Sequence, residues 1–274
     1  MSFGLPPAPG ADRLTYGSYL KIPELTRLQL LQSSPTQHDE LLFIIVHQIY
    51  ELWFKQLLHE VDAVSERLDA DEPLGAQRLL RRCAEIQRVL IQQLRVLETM
   101  TPNDFLTFRD HLMPASGFQS AQFRALEFAS GAKDARHLDH QPEGSAERLE
   151  LERRLERPTL NQTFYAMLRR RGFQLPEEPE QHDVRVRELL RIYQNPDQHY
   201  DLYLLAEALL EYDESFLLWR LNHVTMVERM IGSKPGTGGS EGVSYLQRTT
   251  GRKFFPELWE LRSYLSVKGQ THGA

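Results

Sequence analysis

Two stretches, from Thr36 to about Leu68 and from Asp201 to Ile231, repeat apolar side chains at spacings of three and four, and such long runs commit the chain to long helices. In the first, Leu42, Ile45, Ile49 and Leu52 form a stripe, and Phe43, Tyr50 and Phe54 widen it into a second apolar face. Ser34, Pro35 and Thr36 offer a start, with Asp39 and Glu40 in the first turn where the helix dipole favours negative charge. The second stretch carries Leu205, Leu209, Phe216, Trp219, His223, Val227 and Met230 and stops at Gly232. Between them, Leu74 to Thr99 reads as another helix through Leu79, Cys83, Ile86, Leu90, Leu94 and Leu97. Thr101-Pro102 is an N-cap followed by proline at the first helical position, opening a short helix that ends by Pro114.

No segment alternates with period two, and no strand pair is joined by Asn-Gly or Asp-Gly. The expected fold is all-α: long antiparallel helices form a bundle-like core from about 36 to 130 and 195 to 265 within a single domain. The stretch from about 133 to 191 is richer in charge and proline, with breaks at Pro158, Pro176 and Pro179, and reads as a smaller, peripheral helical insertion. Residues 1–30 form an arm whose Tyr16, Tyr19 and Leu20 need a surface to bury against, and a neighbouring subunit would provide one.

A net charge of -6 argues against nucleic acid and anionic lipid as partners. No apolar run reaches the ~20 residues of a membrane span, and the N-terminus has neither the basic start nor the apolar centre of an export signal, so a cytoplasmic protein is expected. Cys83, the single cysteine, reads as a buried structural thiol.

The familiar catalytic motifs are missing. His59-Glu60 lacks the second histidine of a zinc-protease helix, and the loop GTGGSEG lacks the Lys-Ser/Thr ending of a P-loop and follows a helix rather than a strand. What remains is a set of polar side chains in apolar settings. His47 lies one turn from Phe43; His223 follows Phe216 and Trp219 and precedes Val227 and Met230. Either alone is satisfied by a carbonyl partner in a core; the two together suit a cofactor that needs an apolar slot, one neutral imidazole as ligand and a polar group opposite. Arg109, among Phe105, Leu106 and Phe108, wants a carboxylate, either an Asp or Glu elsewhere in the chain or that of a substrate.

The runs HDELLFIIVHQIYELWFKQLLHE, FRDHLMPASGFQS, LLWRLNHVTMVERMIG and KPGTGGSEGVSYL, in this order and spacing, resemble the tryptophan 2,3-dioxygenase family. The resemblance covers nearly the whole chain from LTYGSYL to FFPELW. It implies one haem b per subunit, a homotetramer built as a dimer of dimers, and cleavage of the indole C2–C3 bond of L-tryptophan by O2 to N-formyl-L-kynurenine, the first step of oxidative tryptophan degradation. On these residues it implies His223 as the proximal iron ligand, His47 as the distal residue that accepts a hydrogen bond from the indole N–H, and Phe43 stacked on the indole with Ile44 beside it in the pocket. Arg109 is implied to bind the substrate carboxylate, Thr237 the carboxylate or ammonium, and Ser116 to lie near the haem. Tyr16, Tyr19 and Leu20 are implied to reach a neighbour's pocket. Phe105 stands where some members carry tyrosine.

Overall fold

The computed structural model describes residues 14–238 and 241–266, except the side chain of Pro179; the first thirteen residues of the arm lie outside that range. Helices α1 (Tyr16–Tyr19) and α2 (Ile22–Leu25) form the arm, followed by α3 (His38–Asp69), α4 (Pro73–Leu97), α5 (Pro102–Arg109) and α6 (Ala121–Ser130). Then come α7 (Ala146–Glu156), α8 (Leu160–Arg170), α9 (His182–Gln194), the long α10 (Tyr200–Ile231), α11 (Val243–Thr249) and α12 (Pro256–Glu260). Among the described residues there is no strand, and the fold is all-α.

The start of α3 differs from the expected one. Helix begins at His38, and the Ser33 hydroxyl, not Thr36, accepts from the Gln37 N–H at 2.9 Å. Ser33 is itself fixed by the fully buried Glu40, which also accepts from the Gln32 and Ser33 N–H groups at 2.6 and 3.0 Å. These bonds, from the Ser33 hydroxyl first, outweigh the burial that opposes charge and hold the Glu40 carboxyl below its ordinary pKa. Gln48 takes the Gln29 amide at 2.6 Å, so the end of the arm is tied along α3. By contrast, α5 starts as the sequence dictates: the Thr101 hydroxyl accepts from Asp104 N–H, and Asp104 returns a bond to Thr101, a capping box with Pro102 inside it.

Helix α4 packs between α3 and α10, its Leu80, Leu90, Leu94 and Leu97 meeting Leu57, Val61, Leu205 and Leu209 in the main core. The turn Ala70–Glu72 folds α4 back antiparallel to α3. The stretch 133–191 divides in two. Helix α7 packs on α6 through Leu151, Ala125 and Phe128, whereas α8 and α9 place Phe164, Leu168, Leu189 and Ile192 in the main core. Arg154 ties α7 to α3 with a fork onto Asp62, 2.5 and 2.6 Å.

One feature of α3 departs from the sequence reading of membrane spans. By length and composition alone this helix is apolar enough to cross a bilayer, because both of its faces carry aliphatic residues, and little of that window is buried. Leu41, Ile45, Ile49 and Leu52 form the outward stripe.

Candidate active site

A cavity of about 270 Å³ is lined by α3, α4 and α10 and closed by α5, α6, α11 and the glycine-bearing loop after α10. His47, Phe105, Arg109, Ser116, His223 and Thr237, all singled out in the sequence, line it. Phe43 and Ile44 are not on its wall. The Phe43 ring backs His47 (centroids 4.0 Å apart) and stacks on Phe105 at 5.6 Å. Tyr16 and Tyr19, 77% and 70% exposed, and Leu20 lie on the arm and contribute nothing to this chain's own cavity.

Both histidines open on the cavity. His47 Nδ1 is 2.7 Å from the Phe43 carbonyl oxygen. A carbonyl only accepts, so Nδ1 carries the proton and Nε2 keeps its lone pair. The cavity walls strip enough water from the ring to hold its pKa below the ordinary histidine value, against the opposing pull of the Phe43 carbonyl and Glu51. His223 has no hydrogen-bond partner among the described residues and lies flat on the Trp219 indole, rings 5.1 Å apart and 7° from parallel. Desolvation first, then His47 and Arg124, push its pKa down to about 4. At neutral pH it is a free, uncharged imidazole, the form that can donate a lone pair to a metal.

Sequence reading missed the wall contributed by α6. Glu127, buried, accepts from Arg124 at 2.6 Å and from Arg220 at 2.9 Å, and the two guanidiniums keep it ionised despite burial. Two cations share one carboxylate, which leaves one excess positive charge, and the Arg124 and Arg220 Nε atoms are buried without partners. Such a charge calls for an anion in the cavity. The signal was available: Arg124 follows Phe123 in an apolar helix, the same oddity that drew attention to Arg109.

At the mouth, Arg109 Nη2 donates to the Pro235 carbonyl at 2.5 Å, and the Thr237 hydroxyl to the Ala115 carbonyl at 2.6 Å. These bonds clasp the loop after α10 against the 114–116 segment. The fit is close: a Cβ on Gly238 would stand 2.6 Å from Ser116 Cβ, and one on Gly242, where φ is +61°, 2.6 Å from the Lys234 carbonyl oxygen.

These features fit a haem. A neutral imidazole without a partner faces an aromatic-walled cavity, and the unpartnered guanidinium Nε atoms meet the need of propionate carboxylates. His223 would hold the iron and Arg124 a propionate.

The sequence profile of the family described as tryptophan 2,3-dioxygenase matches residues 8–183 and 181–265. A tryptophan 2,3-dioxygenase of Nocardioides sp. is 52% identical over 259 residues, covering 92% of this chain and 95% of that protein. The Myxococcus xanthus protein of the same name is 44% identical over 96% of this chain and 93% of its own, and that of Herpetosiphon aurantiacus 45% over 93% and 100%. With cavity, charge and similarity in agreement over nearly its full length, the chain belongs to the tryptophan 2,3-dioxygenase family.

Proposed function

We propose that this protein is a haem-dependent dioxygenase that opens the indole ring of L-tryptophan with O2 to give N-formyl-L-kynurenine. The observation that carries the reading is the pair of neutral imidazoles, His47 and His223, opening on one aromatic cavity with Arg109 at its mouth. Bound haem supplies the iron at which O2 is activated toward the indole C2–C3 bond. His223 would hold that iron. His47 Nε2, its lone pair fixed by the Phe43 carbonyl on the other nitrogen, accepts from the indole N–H and so orients the ring. Arg109 keeps donors beyond the one given to Pro235, and these take the substrate carboxylate; the Thr237 hydroxyl completes the clamp with the carboxylate or ammonium. Ser116 and Phe105 line the cleft, and Phe43 with Ile44 backs the distal side. An amine lacking the carboxylate leaves the guanidinium unpaired, which sets the preference for the free amino acid.

The subunit acts within a homotetramer in the cytoplasm, one haem b in each. The outward stripe of α3 and the exposed arm residues Tyr16, Tyr19 and Leu20 are the apolar surfaces that partner copies would cover.

The test is an optical spectrum of the protein supplied with haemin, followed by turnover of L-tryptophan, D-tryptophan and tryptamine under initial reduction. A Soret band and N-formylkynurenine from L-tryptophan alone are expected. A colourless protein that takes up no haemin would overturn the assignment, and rapid turnover of tryptamine would replace it with a broader indole dioxygenase.

A further inference from the structure

The buried carboxylate of Glu127 is divided between two guanidiniums. Its Oε2 accepts from Arg124 Nη1 at 2.6 Å and its Oε1 from Arg220 Nη2 at 2.9 Å. Each arginine therefore reaches one oxygen, and neither forms the two-bonded fork that an arginine makes with a carboxylate of its own. The two are not equivalent. Arg220, 3% exposed, spends its other terminal nitrogen on the Arg252 carbonyl at 2.9 Å, and its guanidinium lies 5.1 and 5.3 Å from the Phe216 and Phe254 ring centres. The segment that supplies Arg252 and Phe254 is itself fixed on α10, because Asp213, two turns before Arg220, accepts from the Phe254 and Phe255 N–H groups at 3.0 Å. Arg220 is thus committed to the protein at both terminal nitrogens. Arg124, on the cavity wall with its guanidinium 5.6 and 5.2 Å from the Phe118 and Phe123 ring centres, has no such second partner. Its Nη2 makes no hydrogen bond among the described residues and, unlike its Nε, is not sealed away.

We propose that Arg220 is a positioning residue for the cofactor: by holding one oxygen of Glu127 it stops Arg124 from closing a fork on that carboxylate, and so keeps Arg124 Nη2 for a propionate of the haem. Without Arg220, both Glu127 oxygens fall to Arg124, which lies three residues away on the same helix, and the pair becomes a closed, neutral unit that no longer attracts an outside anion. An apolar side chain at 220 would fill the space between Phe216 and Phe254 but leave Glu127 uncontested. The inference rests on the proposal that the cavity holds haem.

The test is titration of the haem-free protein with haemin and with haemin dimethyl ester, whose propionates carry no charge, both read at the Soret band. Arg220→Met should weaken haemin binding by about tenfold, the range of one charge-assisted hydrogen bond, and leave the dimethyl ester within about twofold. Adding Glu127→Gln removes the carboxylate that would capture Arg124, so the double variant should recover haemin affinity to within about threefold of wild type. Resonance Raman should show the propionate-bending mode shifted in Arg220→Met and restored in the double variant. Arg220→Gln, whose amide can still donate to the Arg252 carbonyl, replaces methionine should that variant fold poorly, with the same expectations. Failure of the wild type to bind haemin would defeat the reading of the cavity on which the inference rests. Wild type that binds haemin, with undiminished affinity in the Arg220 variant, would overturn this inference alone. So would equal losses for haemin and its ester, or a double variant that binds haemin no tighter than the single, since either marks Arg220 as packing only.

Discussion

Replacing Gly238 with alanine probes how closely the loop after α10 must approach the 114–116 segment. The added methyl would lie 2.6 Å from Ser116 Cβ and 3.1 Å from its Oγ, where ordinary contacts begin at 3.4 Å, so loop and segment must part by about 0.8 Å. Both are anchored, through Thr237 to Ala115 and Pro235 to Arg109, so the displacement falls on the two groups that clamp the substrate. Misplacement of about 1 Å in positioning groups costs up to roughly 10²-fold, or about 2.7 kcal/mol. Steady-state turnover of L-tryptophan by haem-replete Gly238→Ala should show kcat/KM reduced by about 10- to 10²-fold with most of the change in KM, and an unaltered Soret band. Ser116→Gly removes both opposing atoms, leaving the Pro114 carbonyl oxygen at 3.6 Å as the nearest neighbour. In that background the alanine should cost less than threefold. An undiminished kcat/KM in Gly238→Ala, or an equal penalty with and without the Ser116 side chain, would refute the steric argument.

Arg109→Ala should raise KM for L-tryptophan steeply, by about 10²-fold for the loss of a charged bidentate contact, and leave the weak binding of tryptamine, read from the haem spectrum, nearly unchanged; equal losses of affinity for both would remove Arg109 from the carboxylate site. His223→Ala should abolish haem retention in a gel-filtered sample, whereas His47→Ala should keep the haem and lose part of the activity. His137 is 4% exposed, and desolvation with help from Arg124 lowers its pKa to about 4. The unfolded chain therefore takes up this proton first, and the stability of the haem-free protein falls as pH drops from about 6.5 to 4, by as much as about 3 kcal/mol from this group. Denaturant titrations of wild type and His137→Phe should converge at low pH, and parallel curves would exclude His137 as the cause. Asp62→Ala leaves Arg154, 6% exposed, with only Glu150 as its anion at 2.8 Å, and should lower stability by about 2 kcal/mol, read from the urea midpoint.

Much of the fold was legible because its long helices are strongly periodic and punctuated by chemistry with one reading. Thr101-Pro102 opens α5 and Gly232, with φ +58°, closes α10, both where sequence places them. The start of α3 was misplaced because the residue before the helix, Gln37, is held by the Ser33 hydroxyl, itself fixed by a buried Glu40 seven residues on, and no local pattern encodes that geometry. In α9 the charged residues outnumber the apolar ones that reach the core, so composition hid how deeply Val186, Leu189 and Ile192 are buried. For the site, family resemblance picked out the cavity residues that single side chains left ambiguous. The Arg124–Glu127–Arg220 cluster escaped because it joins α6 to α10 across 93 positions.

The distribution of unmet polar atoms separates this site from the rest of the molecule. Buried charge elsewhere is fully answered: Asp213 accepts from two backbone N–H groups and the Trp259 indole, and Glu257 binds Tyr165 and Arg185. Among the described residues, the buried side-chain atoms without partners belong to Gln87, Arg124, His137, Trp219 and Arg220, and three of these five residues, Arg124, Trp219 and Arg220, line the cavity. A fold able to satisfy Asp213 with three donors has no general difficulty in pairing its polar groups. Concentrating the unpaired ones around one cavity makes sense if a bound group answers them, because the free energy lost in the empty protein is recovered on binding. Haem should therefore stabilise this chain more than mass action on an already satisfied pocket would suggest. In a Glu127→Gln variant, with one more cation uncompensated, the haem-free protein should lose more stability than the haem-bound form; equal losses in both would show that the excess charge at Arg124 and Arg220 is not what the cofactor answers.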